Sequence, residues 1–254
     1  MRTNAVIITR YFQTAIDFNE WYWHHRNLGI DQIRVYDAGV PFDLRAECAK
    51  YQLEYTYVKS PIQYKIYTDY IKTTDADFVL PLDDDEYLWI APEFKTLENV
   101  IAYYESLYGQ FNSLGIRWLY KFPKIFNSER TCPVLEYCTE QNDYLATRFS
   151  GHGNNVIKCL VRSKTFDRYM DAAESMVRNH VPVTKPDTGA LLCNGTYSRC
   201  QVVKPMTDEK IRLIHCPYKG YSEYMIKRDT SYSISSNTPH KRKRAFDSLL
   251  ERLA

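Results

Sequence analysis

No run of about 18 apolar residues occurs in the 254-residue sequence, so no segment reads as a helix that crosses a bilayer. The opening, MRTNAVIITRYF, lacks the apolar core of a signal peptide, and a cytoplasmic protein or an excised domain is expected. Internal repeats, low-complexity stretches and linkers rich in Gly, Pro or Ser are also missing, which argues against a chain split into several domains. The seven cysteines stand apart, with no Cys-x-x-Cys pair and no regular frame, so they read as reduced thiols, mostly packed. Net charge is small: 33 Lys+Arg against 31 Asp+Glu leave +2, which argues against electrostatic capture of nucleic acid as the main activity. A Gly-x-x-x-x-Gly-Lys-Ser/Thr phosphate loop is absent too.

What is present is apolar content of 44%, enough for a proper core in one large α/β domain or two small ones. Aromatics reach 15%, with 22 tyrosines, suited either to stacking on sugar rings or bases or to filling a half-buried sheet. The pattern of the first third is strand, then helix, repeated. Strands are predicted over 4–9 (NAVIIT), 31–37 (DQIRVYD), 53–60 (LEYTYVKS) and 77–83 (DFVLPLD), with helices over 15–29, 44–52 and 62–74 between them. Later come a helix over 96–109, a strand over 113–122, an irregular polar region over 127–155, and strands at NVIKCLVR and KIRLI. Such alternation predicts a doubly wound, mostly parallel sheet flanked by helices.

The stretch ADFVLPLDDDEYLWI, residues 76–90, sets Asp83, Asp84, Asp85 and Glu86 between two apolar segments. In open α/β sheets ligands bind at the carboxyl ends of the strands, where Asp37 and this quartet both fall. Close carboxylates repel and raise one another's pKa unless a cation holds them or water bathes them. Their confinement between apolar segments favours the cation, and Mg²⁺ or Mn²⁺ suits carboxylate oxygens while leaving positions for substrate phosphates. An extended chain would send Asp83 and Asp85 to the same side.

LDDDEYLWI resembles the Asp-x-Asp-Glu-aromatic-Leu motif of GT-A-fold glycosyltransferases, in the set similar to families 2 and 92. NEWYWHHRNLGIDQIRVYDAG resembles the opening of that set, NNVIKCLVR and RNHVPV its middle pieces, and IHCPYKGYSEYMIKR its closing segment. The glycine usual before Lys158 is missing, and HCPYKGYS is wider than the usual spacing. The resemblance implies one GT-A-like α/β domain over 1–230, with a nucleotide-sugar half over about 1–90 and an acceptor half over about 91–230. It also implies a nucleotide diphosphate sugar as donor, UDP-sugar above others, with Mn²⁺ or Mg²⁺. The metal ligands would be Asp85, His215 and, through water, Asp83, which also sits near the ribose. Lys158 and Lys219 would meet the diphosphate, Asp37 the base, and Thr9 and Arg10 the pocket wall, with Lys65 and Asp84 in the same donor site. From the residues alone, Lys158 and Lys219 read first as plain surface lysines, and His215 reads equally as a packed or surface histidine.

The acceptor would be a hydroxyl of a glycan or glycoconjugate. Residues 127–155 have the length of a lid or of a surface excursion. An inverting reaction needs a carboxylate base, for which Glu174 and Asp171 are the candidates. The rivals are a metal-dependent phosphotransferase, which lacks a second acidic cluster here, and a non-enzymatic binder of carbohydrate or nucleic acid. The tail, 231–254, carries the basic run HKRKR and then Phe246, Leu249, Leu250 and Leu253 at helical spacing, suited to docking or to weak membrane-surface contact.

Overall fold

Strands β1 (Thr3–Thr9), β2 (Gln32–Asp37), β3 (Glu54–Tyr57) and β4 (Phe78–Asp83) alternate with helices α1 (Ala15–Asn27), α2 (Leu44–Lys50) and α3 (Gln63–Thr73). This follows the sequence pattern closely. The computed structural model describes residues 1–59, 62–124, 129–150, 156–169, 182–184, 191–193, 196–197, 210–223 and 225. Glu174, Asp171 and the tail beyond 230 lie outside the described residues.

The four strands pair in parallel, in the order β3-β2-β1-β4. A turn at Asp84 and Asp85 leads into β5 (Glu86–Ile90), which the sequence pattern does not mark as a strand. Then follow α4 (Leu97–Tyr108), β6 (Ser113–Tyr120), β7 (Phe122–Pro123), α5 (Val134–Tyr137), β8 (Cys138–Glu140), α6 (Asp143–Ser150) and β9 (Ile157–Arg162). The remaining strands are β10 (Phe166–Tyr169), β11 (Pro182–Thr184), β12 (Leu191–Cys193), β13 (Thr196–Tyr197) and β14 (Ile211–His215). β9 runs antiparallel between β4 and β6, and β14 lies parallel to β6 and antiparallel to β5. One large mixed sheet results, parallel through its N-terminal half and curling where β5, β14 and β6 meet.

The starts of α1, α2 and α4 are chemically marked. Thr14 and Asp17 form a capping box on α1, with the Thr14 hydroxyl 3.3 Å from the Asp17 amide, and Asp43 and Thr96 cap α2 and α4. After α1 the chain turns at Gly29, whose φ of +87° is a conformation that side-chain-bearing residues rarely adopt. The core forms on both faces of the sheet because β1 and β4 carry continuous apolar runs, residues 5–8 and 78–82. Ala5, Ile7, Leu80 and Leu82 pack with Trp21 and Phe18 of α1 and with α4, while Val6 and Val79 pack on the other face with Tyr67 and Ile71 of α3.

The region 127–155, expected to be irregular, contains α5, β8 and α6. These elements are too short for periodicity to reveal them, and a tertiary contact fixes one of their ends: the Glu20 carboxylate accepts the Val134 amide at 2.7 and 3.0 Å. Of the described cysteines, Cys48, Cys138, Cys159 and Cys216 are buried and Cys132 is half-buried, all as thiols. Among the described residues no helix is long and apolar enough to cross a membrane.

Candidate active site

The parallel register brings the strand ends into line. Thr9 stands opposite Asp37, Ile8 opposite Asp83, and Asp37 opposite Tyr57, so β1, β2, β3 and β4 deliver their last residues to one edge of the sheet. Asp37, the quartet Asp83 to Glu86 and two lysines, Lys158 and Lys219, then gather at that edge from segments that are distant in sequence.

The acids divide the work. Because of the turn at Asp84 and Asp85, Asp83 and Asp85 do not share a partner as an extended chain would predict. Asp83, with its side chain 31% exposed, holds the Lys158 ammonium at 2.7 Å through Oδ2 and accepts the Gln63 amide at 3.0 Å through Oδ1, with the Tyr67 hydroxyl at 3.4 Å. Asp84 is buried and accepts the backbone amides of Arg10, at 2.8 Å, and Tyr11, so it shapes the turn that leaves β1. Asp85 faces His215, with Oδ2 3.2 Å from Nε2, and its carbonyl accepts the Cys216 amide at 2.8 Å. Glu86 is wholly buried and accepts both the Lys158 ammonium, at 2.6 Å, and the Asp83 amide, at 2.8 Å, on Oε2.

Burial pushes the Glu86 carboxyl up to about 7, with Lys158 opposing that rise and Asp83 adding to it. Burial pulls the Lys158 ammonium down, yet Asp83 and Glu86 outweigh it and hold its pKa above the ordinary lysine value. Lys158 therefore stays charged. Its side chain is 1% exposed and its ammonium meets Asp83 and Glu86, so in this structure it serves as their internal counter-ion.

His215 ends β14 directly opposite Glu86 in the antiparallel register. Its ring is held between Trp118 and Tyr120, with centroids 4.5 and 4.7 Å away, and its buried Nδ1 has no hydrogen-bond partner among the described residues. Lys219, 4% exposed, directs Nζ toward the carbonyls of Asp84 and Tyr11 at 3.4 and 3.5 Å and lies 5.0 Å over the Phe12 ring. Asp37 accepts the amides of Gly39 and Val40 at 2.8 and 3.1 Å and the Tyr55 hydroxyl at 2.8 Å, an arrangement that turns the chain sharply at the end of β2. Thr9 is fully buried, whereas Lys65 is exposed on α3.

Arg130 is a contributor that sequence reasoning missed. Its guanidinium pairs with Asp17 and, at 3.2 Å, with Glu223, and it donates to the Lys219 carbonyl at 2.8 Å and the Cys132 carbonyl at 2.9 Å. It thereby ties α1 to the segment that carries Lys219. Gln63 and Tyr67 were also missed, although their spacing of four on a predicted helix places them on one face.

The residues can be tested against a divalent ion. Octahedral bonds of about 2.1 Å set neighbouring ligands about 3 Å apart, and the 3.2 Å between Asp85 Oδ2 and His215 Nε2 matches that separation. Among the described residues no third His, Cys, Asp or Glu completes a protein-only cluster. A carboxylate and an imidazole therefore fit an ion whose other positions belong to substrate oxygens and water.

No family model matches the sequence, and no curated protein matches it. Among solved structures, a crystal structure of S. aureus TarS matches with a TM-score of 0.41 and 11% identity, covering 99% of this chain and 43% of that one. TarS 1-349 in complex with UDP-GlcNAc matches with 0.36 and 16%, covering 64% and 46%. Glucosyl-3-phosphoglycerate synthase from Mycobacterium tuberculosis, in complex with Mn²⁺ and UDP-glucose, matches with 0.31 and 15%, covering 47% and 44%. The chain spans less than half the length of these structures, and the likenesses are distant.

Proposed function

We propose that the chain is a metal-dependent glycosyltransferase that moves a sugar from a nucleotide diphosphate sugar, a UDP-sugar first, to a hydroxyl of a glycan or glycoconjugate with inversion. The observation that carries this reading is the Asp85–His215 pair at the same sheet edge as Asp37, Thr9 and Asp83. Asp85 and His215 would hold Mn²⁺ or Mg²⁺, and the ion would supply Lewis-acid stabilisation to a departing diphosphate. Asp83, half-open at the end of β4, accepts donor hydroxyls. Lys219 adds fixed positive charge beside the Asp84 turn, and burial strengthens its field. Asp37 and the Gly39 turn receive the base, while Thr9, Arg10 and Lys65 border the donor. Glu174 or Asp171 takes the acceptor proton.

Calorimetric titration of UDP into the full chain tests the reading. UDP should bind with Mn²⁺ present and much more weakly with chelator. In turnover assays, Asp37→Ala should raise the donor KM by about tenfold or more while kcat at saturating donor stays close to wild type, the pattern of lost uniform binding. Metal-independent UDP affinity would count against the metal pair, and a collapse of kcat with unchanged KM would remove Asp37 from the base site.

A further inference from the structure

We propose that Lys158 is a positioning residue of this site, holding the Asp83 carboxylate in its donor-facing orientation without touching the diphosphate itself. The inference rests on the nucleotide-sugar reading above, and three observations support it. Lys158 is the second residue of β9, paired with Ile116 of β6, and its side chain is buried among strands and not open to solvent. Its ammonium lies 2.7 Å from Asp83 and 2.6 Å from Glu86 at 1% side-chain exposure, a depth at which a phosphate would have to displace two carboxylates. Asp83 is gripped on both oxygens, by Lys158 on one and by Gln63 and Tyr67 on the other, yet it stays 31% exposed. Lys158 and Tyr67, both buried, and the half-buried Gln63 pin the carboxylate at the end of β4, where it borders the proposed donor.

The charges explain why a lysine is needed. Asp83 and Glu86 share one cation through the backbone turn that also places Asp85, and without it two adjacent carboxylates would repel at the base of the site. A guanidinium or a neutral side chain would fill this narrow space without the same point charge.

Lys158→Met alone leaves the buried Glu86 and the half-exposed Asp83 without their counter-ion, so that variant is expected to fold poorly. The test is therefore run on a Glu86→Gln background, where Lys158→Met removes the remaining cation and leaves Asp83 as the cluster's only carboxylate on that side. Melting is checked first. Calorimetry with UDP and Mn²⁺ then compares four proteins: Glu86→Gln alone, with Lys158→Met, with Asp83→Ala, and with both. Either addition should weaken UDP binding by roughly tenfold or more, the usual size of a lost outer-shell partner. Both together should weaken it no further, because Lys158 acts through Asp83. Additive losses would overturn the proposal by showing that Lys158 meets the ligand on its own account. UDP affinity unchanged by Lys158→Met would overturn it as well. If wild-type protein fails to bind UDP with Mn²⁺, the nucleotide-sugar reading falls first, and this proposal falls with it.

Discussion

Asp85→Asn is expected to abolish Mn²⁺-dependent binding of UDP and to reduce sugar transfer by at least about 100-fold while the protein still folds. Asparagine keeps the shape of the side chain and the backbone bond from Cys216 to the residue 85 carbonyl, so the turn between β4 and β5 should persist. What is lost is the negative oxygen facing His215 at 3.2 Å, and with it the hard-ion half of the proposed ligand pair. Several kcal/mol of leaving-group stabilisation would depart with the ion. Circular dichroism and a melting curve establish the fold, and titration of Mn²⁺ in the presence of UDP gives the affinity. A folded variant with wild-type turnover would mean that Asp85 is a packing partner of His215 and nothing more.

Arg130→Met should have the largest effect on stability. The guanidinium is only 13% exposed and serves Asp17, which is 2% exposed, together with Glu223 and the Lys219 carbonyl. Removing one partner of a buried ion pair typically costs about 3 kcal/mol or more, because the opposite charge stays buried alone. In a chain of this length that corresponds to a fall of roughly 10 °C in melting midpoint. Burial already works against ionisation of Glu223, and loss of the cation removes part of what opposes it. UDP affinity should fall as well, since Arg130 secures the segment that carries Lys219. Arg130→Lys should recover only part of either property, because an ammonium lacks the planar fork that serves several partners at once. A midpoint within a few degrees of wild type for Arg130→Met would show that α1 and the closing segment are joined by other contacts.

The N-terminal half of the fold was legible because its signals are local. FVLPL, residues 78–82, is apolar at every step, and the structure buries it on both faces; Thr14, Asp43 and Thr96 mark helix starts by chemistry that needs no partner far away. The direction of β9 and the role of β5 were not legible, since period-two patterning says nothing about which neighbour a strand pairs with or in which sense. The same limit applied to the site. Strand ends could be read as the place of Asp37 and Asp83, but each acid's partner arrives from elsewhere in the chain: Lys158 from β9, His215 from β14, Gln63 from α3. A buried lysine and a surface lysine look alike in a sequence, so the burial of Lys158 could not be read there. Arg130 gave no signal at all. Its acidic partners Asp17 and Glu223 lie 113 and 93 residues away, and no local pattern announces a clamp of that kind.

The central claim is that this sheet edge handles a nucleotide diphosphate sugar with a divalent ion, and it is tested most directly by slow hydrolysis of a panel of nucleotide sugars. Many transferases that lack an acceptor let water take its place, so the donor can be identified without knowing the acceptor. The full chain, incubated with each donor and Mn²⁺, should release nucleoside diphosphate from one class of donor, UDP-sugars first. That release should stop when the ion is chelated and in Asp85→Asn. Release that continues undiminished with chelator, or equal inertness toward every donor in protein shown to be folded, would contradict the account.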